Sequence, residues 1–300
     1  MILVTGAKGL IGRHFCARLR AAGVEHRPFD VKRSPAEDIR NLSAVAEALR
    51  GVRGVVHLAA VSRVAWGERE PALCNATNVD ALASLLRMCA EGERPWFVFA
   101  SSREVYGAVD RLPVREEDPL RPLNHYARSK HKGELITQSA AESGLLANIC
   151  RFSNVFGCPL DHPDRVAMAF AAAAARGGRI SVQGPMNTFD FTSVQDAVDG
   201  LCRLIEATES GERLPPIHFV SGHGTTLGGL AKMAAGMALK EVIVEEAPAR
   251  PFDMSQFIGD PTRARSLIGW TVTADLRTEF SRLVAALASE PGPCDAGDRS

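Results

Sequence analysis

A glycine-rich turn at the start of the chain constrains its fold more than any other feature. An apolar run of strand length, Met1–Thr5, precedes it, and helical periodicity continues over Arg13–Ala22. Between them lie Gly6, Gly9 and Gly12, spaced three residues apart. The first permits a tight turn, the second lets a ligand approach the backbone, and the third lets the helix pack on the strand. This order predicts a dinucleotide-binding α/β domain.

The next predicted strand carries the residue that selects the cofactor. It runs over Glu25–Phe29 and ends in Asp30, about twenty residues after the glycines. A carboxylate there accepts hydrogen bonds from adenosine ribose hydroxyls, which favours NAD over NADP. Lys32 and Arg33 follow, and a cation past the acid could instead meet a 2′-phosphate, although such residues more often belong to a solvated loop.

Two later segments carry a hydroxyl, a phenol and an amine in an order that chemistry can use. Ser102 follows the apolar run Trp96–Ala100, so it should lie at the carboxyl end of a buried strand, where open α/β sheets bind ligands. Tyr126 and Lys130 are four residues apart in a helical pattern, which puts both on one face. The ammonium should lower the pKa of the phenol toward neutrality. Although Tyr-x-x-x-Lys alone occurs by chance in many helices, this context predicts an active site.

In this order, the glycine turn, the Ser102 strand end and the Tyr126–Lys130 pair resemble the extended short-chain dehydrogenase/reductases, and within them the NAD-dependent sugar-nucleotide epimerases and dehydratases. The resemblance covers about residues 1–287. It implies an α/β fold, namely a doubly wound parallel (Rossmann) sheet with a smaller mixed α/β substrate lobe. The NAD-binding domain should span 1–155, with returning segments near 180–220, and the discontinuous substrate-binding lobe 156–288. Residues 289–300, rich in Gly, Pro, Asp and Ser, should form a disordered tail.

The resemblance also implies roles for individual residues. Tyr126 would remove the proton of a sugar hydroxyl, Ser102 would hydrogen-bond the same oxygen, and Lys130 would hold the nicotinamide ribose. The cofactor-binding positions are Gly6, Gly9, Leu10, Ile11, Gly12, Asp30, Asp38, Ile39, Leu58, Ala59, Ala60, Asn78, Tyr126 and Lys130. The substrate-binding positions are Ser102, Arg103, Asn154 and Arg250, the last suited to a diphosphate. For Asn78, a satisfied buried amide is an equally good interpretation.

The residues after Ser102 separate the possible reactions. Glu104 is followed by Val-Tyr-Gly, which resembles the pattern of dehydratases and decarboxylases, whose acid acts at C5. Those dehydratases carry an Asp that protonates the leaving hydroxyl where this chain has Arg103, and arginine cannot act as an acid near neutral pH. Its charge could instead bind an anionic sugar carboxylate. Phe189 replaces an Arg of many members, so one expected diphosphate contact is missing.

We therefore expect an NAD-dependent epimerase of a nucleoside-diphosphate sugar that works through a transient 4-keto intermediate. One alternative is an NDP-sugar 4,6-dehydratase or a uronate decarboxylase that uses Glu104 at C5. Another is an NAD(P)H-dependent NDP-4-ketosugar reductase. A non-catalytic NAD-sensing scaffold on the same fold is a further possibility from a different class.

Composition argues against several other classes. With 35 basic and 35 acidic residues the formal net charge is zero, which provides no footprint for nucleic acid or an anionic membrane. No signal-peptide pattern is present, and the most apolar stretch, Ala169–Ala175, is too short to span a bilayer, so we expect a cytoplasmic protein. The spacing of the cysteines and histidines predicts neither disulfides nor a metal site. The resemblance implies a homodimer through the helices before and after Tyr126.

Overall fold

A parallel sheet with helices on both faces forms the centre of the structure, a computed structural model that describes residues 1–250 and 254–289. The strands are β1 (Ile2–Thr5), β2 (His26–Phe29), β3 (Gly54–His57), β4 (Trp96–Ser102), β5 (Ala147–Phe152), β6 (Asn154–Phe156), β7 (Gly178–Gln183), β8 (Thr188–Ser193), β9 (Ile217–Phe219), β10 (Gly224–Thr226), β11 (Val242–Ala247) and β12 (Gln256–Phe257). The α-helices are α1 (Leu10–Ala21), α2 (Leu42–Ala48), α3 (Val64–Arg69), α4 (Pro71–Asn75), α5 (Ala81–Glu91), α6 (His125–Glu142), α7 (Val166–Arg176), α8 (Val194–Glu209), α9 (Leu227–Gly236), α10 (Thr262–Ile268) and α11 (Leu276–Ser289).

The central sheet has six strands in the order β2-β1-β3-β4-β5-β9, and every pair is parallel. Successive side chains point to opposite faces, so Ile2 and Val4 join one core and Leu3 the other. Helices α1 and α8 cover the first face, and α2 and α5 cover the second. The strand order reverses between β1 and β3, which is where doubly wound sheets bind nucleotides. The predicted fold class is confirmed.

A smaller lobe covers the carboxyl edge of this sheet. It contains β6, β8, β10 and β12 as a mixed sheet and β7 paired with β11. Helices α7, α9 and α11 supply the core of the lobe. The alanines of α7 leave room for the neighbouring helices to approach closely, so its apolar stretch is a buried helix of the lobe. In the part of the chain that the structure describes, no helix is both long and apolar enough to cross a membrane.

The two lobes share the chain in alternation. Of the segments predicted to return to the first lobe near 180–220, α8 and β9 pack on or pair with the central sheet. By contrast, β7 and β8 pair with strands of the smaller lobe, because their partners β11, β10, β12 and β6 lie there. The predicted tail lies outside the described residues from 290 onward.

Candidate active site

A cleft of about 410 Å³ opens between the two lobes at the carboxyl edge of the central sheet. It brings together predicted residues from distant parts of the chain. These are Gly6, Gly9, Leu10, Ile11, Gly12, Leu58, Ala60, Ser102, Arg103, Glu104, Tyr126, Lys130, Asn154 and Arg250. The predicted residues outside the lining are Asp30, Asp38, Ile39, Ala59 and Asn78.

The glycine turn forms one end of the cleft. Gly6 has a φ of +69°, and a Cβ there would lie 2.6 Å from the backbone nitrogen of Ala59. A Cβ on Gly12 would lie 2.2 Å from the carbonyl oxygen of Gly6, so helix and turn touch without space for a side chain. Among the described residues no side chain caps α1, and its first turn carries no acid. Its N–H groups can therefore receive a dinucleotide diphosphate.

Asp30 lies beside this turn at the end of β2. Its carboxylate accepts the backbone N–H of Lys8 at 2.7 Å and that of Lys32 at 2.8 Å. The guanidinium of Arg33 donates to the carbonyl oxygen of Pro28. The side chain of Arg33 is therefore engaged by the backbone, and the acid is positioned by the turn as a ribose ligand requires.

Two of the predicted cofactor-binding residues, Asp38 and Ile39, have side chains that contact other parts of the protein. The Asp38 carboxylate is bound by Arg40, with 2.5 Å between Nη2 and Oδ2, and this hydrogen bond lowers the pKa of Asp38. Ile39 is buried in the core with Phe29 and Val45. The loop after β2 is short, so both side chains are used within the protein and only their backbone remains for a ligand.

Hydrogen bonds from residues of β1 and β3 hold the loop after β3 in place. His57 Nδ1 lies 2.9 Å from the hydroxyl of Thr5, which also accepts the N–H of Ala59 at 3.3 Å. Burial lowers the pKa of His57 to about 3, so its imidazole is neutral. His57 and Thr5 thus fix the loop on which Leu58 and Ala60 reach the cleft.

Asn78 connects this loop to the helix that carries Tyr126. Its amide accepts the N–H of Val61 at 2.8 Å and donates to the hydroxyl of Ser129 in α6, also at 2.8 Å. The residue lies in a π-helical segment, Ala76–Asp80, between α4 and α5. Such segments occur frequently at functional sites. Asn78 is therefore a satisfied buried amide that positions the cleft without lining it.

Ser102, Tyr126 and Lys130 meet where β4 ends and α6 begins. Ser102 accepts the N–H of Glu104 at 3.2 Å and hydrogen-bonds Tyr126. Asn124 caps α6, because its side-chain oxygen accepts the N–H of residue 127 at 2.8 Å. The Lys130 ammonium donates to the carbonyl oxygen of residue 100 at 2.7 Å.

The two titratable groups of this set are shifted by burial. Burial raises the pKa of Tyr126 to about 12, and the hydrogen bond from Ser102 and the charge of Arg165 oppose the rise. Burial lowers the pKa of Lys130 to about 8. The prediction that Lys130 lowers the pKa of Tyr126 toward neutrality is therefore wrong. Desolvation of the phenol dominates, and the opposing cation is Arg165.

Glu104 and Arg103 form a buried ion pair at the same end of the cleft. Arg103 Nη2 lies 2.9 Å from Glu104 Oε1, and Asn124 donates to Oε2 at 3.3 Å. Arg103 also donates to the side-chain oxygen of Asn154 at 3.1 Å, and its Cζ lies 4.4 Å from the ring centroid of Phe189. Both carboxylate oxygens of Glu104 are thus engaged. The Asn154 Nδ2 atom is buried without a hydrogen-bond partner among the described residues, as a substrate ligand would be.

Cationic residues that the sequence interpretation missed also line the cleft. Arg63, in the loop after β3, donates to His162 at 2.8 Å and to the carbonyl oxygen of Asp164 at 2.9 Å. Arg165, just before α7, lies 3.2 Å from Asp161. No motif marks either arginine. The one available signal was the density of charged residues over 161–165, and loops of that composition are usually solvated.

The fold and the site together define an extended short-chain dehydrogenase/reductase, since a dinucleotide-binding sheet and a Ser-Tyr-Lys set share one cleft. Residues 2–219 match the model of the NAD dependent epimerase/dehydratase family. The chain belongs to this family, and the predicted family, enzyme class and NAD cofactor are confirmed.

Relatives of known activity cover nearly the whole chain. UDP-glucose 4-epimerase from Rhizobium meliloti (strain 1021) is 28% identical in an alignment of 305 positions that covers 92% of this chain and 93% of that protein. dTDP-glucose 4,6-dehydratase from Streptomyces griseus is 28% identical in an alignment of 314 positions that covers 95% of this chain and 93% of that protein. The structure of MoeE5 in complex with UDP-glucose and NAD is 27% identical with a TM-score of 0.87, covering 95% of this chain and 97% of that chain.

Proposed function

We propose that the protein is an NAD-dependent 4-epimerase of a nucleoside-diphosphate sugar. Tyr126 takes the proton of the C4 hydroxyl, and Ser102 hydrogen-bonds the same oxygen. When bound, NAD would accept the hydride from C4 and later return it. After the ketosugar rotates in the cleft and presents the other face of C4 to the cofactor, Tyr126 returns the proton to the C4 oxygen, and C4 is inverted. This cycle needs no further acid or base.

The residues proposed to hold NAD follow from their geometry. The N–H groups at the start of α1 bind its diphosphate, and the carboxylate of Asp30 accepts the adenosine ribose hydroxyls. An ammonium has three donors, and the described hydrogen bonds of Lys130 use one of them, on Ala100. The others are available for the nicotinamide ribose and for Tyr126.

Ser102 supports the base through its own hydrogen bonds. Because its oxygen accepts the N–H of Glu104, its hydroxyl hydrogen is directed toward Tyr126 and the sugar oxygen. That hydrogen bond lowers the pKa of Tyr126 against the effect of burial. Removal of the substrate proton is therefore assisted by a fixed donor.

The engagement of Glu104 is the observation that favours epimerisation over its rivals. A 4,6-dehydratase or uronate decarboxylase needs this carboxylate to act at C5. Here both oxygens of Glu104 already accept hydrogen bonds within the protein, one from Arg103 and one from Asn124, and these hold the carboxylate in place. Arg103 also occupies the position at which the dehydratase pattern has its acid. Epimerisation requires neither residue to exchange a proton.

The substrate is proposed to bind through its diphosphate and sugar on the smaller lobe's side. Arg250 and the unpaired Nδ2 of Asn154 line that side of the cleft. A guanidinium suits a diphosphate because it offers paired donors. Part of the predicted Arg250 loop, residues 251–253, lies outside the described residues.

We also infer that the protein pairs with a second copy through α5 and α6. A shallow groove between these helices is lined by Leu86, Leu135 and Ile136, and Leu135 is 52% exposed. Burial of such a patch against its own copy would remove apolar surface from water. Sedimentation analysis should give twice the chain mass, and Leu135→Glu should give the monomer.

A panel of UDP-, dTDP-, GDP- and CDP-sugars tests the proposed activity. Each is incubated with the protein and NAD, and the products are separated and weighed by mass spectrometry. We expect one nucleotide sugar to give a product of unchanged mass with inverted C4, which NMR identifies. Loss of water would indicate a dehydratase, loss of carbon dioxide a decarboxylase, and loss of two hydrogen atoms with stoichiometric formation of NADH a reductase running in reverse. Each of these outcomes would overturn the proposal.

A further inference from the structure

We propose that the sugar of the substrate carries a carboxylate, as a uronate does, and that Arg103 binds this carboxylate. This inference rests on the proposed function and names its substrate class.

The position of Arg103 relative to the reacting oxygen is the first step. It directly follows Ser102, which with Tyr126 brackets the proposed position of the C4 oxygen. The neighbours of C4 are C3, which bears a hydroxyl, and C5, which bears C6. In a hexose, C6 is the exocyclic carbon that can be oxidised to a carboxylate. A cation one residue beyond Ser102 is therefore matched to a charged group at C6.

The guanidinium of Arg103 is fixed in orientation by aromatic rings. Its Cζ lies 4.4 Å from the ring centroid of Phe189 and 5.9 Å from that of Phe257, and the residue is 8% exposed. Rings on its face hold the plane of the group and leave its edge for hydrogen bonds. Phe189 and Phe257 thus hold in place the cation that the loop after Ser102 supplies.

Only some of the N–H groups on the edge of this guanidinium donate to strong acceptors. Nη2 is shared by Glu104 and Asn154, whereas Nη1 donates to the thioether sulfur of Met254 at 3.5 Å. A thioether is a weak acceptor. None of the hydrogen bonds in the described chain uses Nε. A carboxylate that displaced the sulfur would gain charge-assisted hydrogen bonds without breaking the pair with Glu104.

Binding measurements test the inference independently of turnover. In a Tyr126→Phe background with saturating NAD, titration calorimetry gives Kd for UDP-glucuronate and UDP-glucose, or for the matching pair on the nucleotide that the panel selects. We expect the uronate to bind about 10- to 100-fold tighter, as hydrogen bonds between charged groups imply. Arg103→Met should abolish this preference. Arg250→Met is the matched control and should weaken both ligands by similar factors, since both carry the diphosphate.

Two further variants separate recognition from folding. Arg103→Met leaves Glu104 buried without its cation, so Arg103→Met/Glu104→Gln, which removes both charges, is measured beside it. Melting curves identify the folded proteins. We expect the double variant to have lost the preference and Glu104→Gln alone to keep or increase it, because a competing anion is gone. A preference that survives in the double variant, or a loss in Glu104→Gln equal to that in Arg103→Met, would overturn the assignment to Arg103.

The outcomes also distinguish this inference from the proposed function. If the protein with Tyr126 intact epimerises UDP-glucose but neither binds nor epimerises the uronate, the inference fails and the function stands. If the uronate binds through Arg103 but leaves without an inverted C4, the function fails and the recognition stands.

Discussion

Tyr126 is the residue on which the proposed chemistry depends most directly. It is buried, it is hydrogen-bonded to Ser102, and it lies on the helix face that also carries Lys130. Tyr126→Phe removes the proton acceptor and keeps the ring that packs there. Turnover should fall by about 10² to 10⁴, the usual effect of losing a positioned acid/base. A coupled assay of C4 inversion measures the rate, and NAD titration should give an unchanged affinity. Near-normal turnover would remove Tyr126 from the mechanism.

Lys130 should set the alkaline limit of the reaction. Burial lowers its pKa to about 8, so it is cationic below that pH and neutral above it. Its contribution as an ammonium is therefore lost as pH rises through about 8. The thiols of Cys74 and Cys150 lie near this ammonium, and their raised pKa values keep them neutral in this range. The charge of Glu134 also acts on Lys130 and raises its pKa against the effect of burial. We expect kcat/KM to fall with a midpoint near pH 8.

Lys130→Met supplies the control for this profile. This variant should be slower at every pH, and its kcat/KM should not fall near pH 8; a fall that persists would assign this pH dependence to another group.

The lowered pKa of Lys130 also makes the stability of the folded protein depend on pH. The folded pKa of about 8 lies below the ordinary value of 10.5, so between these values the unfolded chain binds more protons. This group should therefore make the protein more stable as pH rises from about 8 to 10.5.

Glu104 separates the proposed epimerase from enzymes that act at C5. Its oxygens are held by Arg103 and Asn124, so Glu104→Gln should keep the shape of the site. We expect the rate to stay within a few-fold and the unfolding free energy to fall by about 3–5 kcal/mol, because the buried guanidinium of Arg103 loses its counter-ion. Reaction in D₂O provides the second measurement, because removal of the C5 proton would introduce deuterium there. Deuterium at C5 in the wild type that disappears in Glu104→Gln would contradict epimerisation without C5 chemistry.

Helix α1 packs so closely on the glycine turn that no side chain fits between them. A Cβ on Gly12 would lie 2.2 Å from a backbone oxygen, so Gly12→Ala must push α1 away from the turn. We expect lower stability and a loss of NAD affinity, which melting curves and titration measure. Gly236 in α9 is the matched control, because a Cβ there meets no atom within 4 Å. Gly236→Ala should leave NAD affinity unchanged and stabilise by up to about 1 kcal/mol. Equal effects of both changes would contradict the close-packing argument.

Elements with a strong local pattern were predictable from the sequence. Strands β1, β2 and β4 begin and end within two residues of their predicted bounds, and β1 and β4 are apolar runs buried on both faces, which are easy to recognise. The π-helical segment around Asn78 was not, since it depends on hydrogen bonds to Val61 and Ser129 that form only in the folded protein. The short strands β6, β10 and β12 were also missed, because two or three residues carry no periodicity.

The candidate site divides in the same way. Ser102, Tyr126 and Lys130 were predictable because strand ends and helix spacing alone bring them to one edge. The commitment of Asp38 to Arg40 and the approach of Arg165 to Tyr126 were not, because side-chain partners in loops follow from tertiary packing. A buried phenol with a raised pKa could likewise be recognised only once its burial was known.

Across the whole molecule, a buried polar network of the central-sheet lobe reaches the smaller lobe through the ring of Tyr106. Arg151 of β5 pairs with Glu134 at 2.6 Å and donates to the hydroxyl of Tyr106 at 2.5 Å. That hydroxyl lies 2.5 Å from His218 of β9, while the Tyr106 ring stacks on Phe257 of the smaller lobe at 5.8 Å. Loss of one partner of such a buried pair typically costs about 3–5 kcal/mol. Neither lobe can therefore open without exposing groups of the other.

Because the two lobes share the chain in alternation and pack on each other, we expect the protein to unfold in one cooperative transition. Tryptophan fluorescence reports on Trp66 in α3 and on Trp96 and Trp270, which are buried against the central sheet, whereas circular dichroism also reports α7, α9 and α11 of the smaller lobe. The two melting curves should coincide. NAD at about 100 times its Kd should stabilise the folded protein by about 2.7 kcal/mol and move both curves upward by roughly 5 °C. If the lobes were independent, two transitions would appear and NAD would move only the one that contains Gly6 and Asp30.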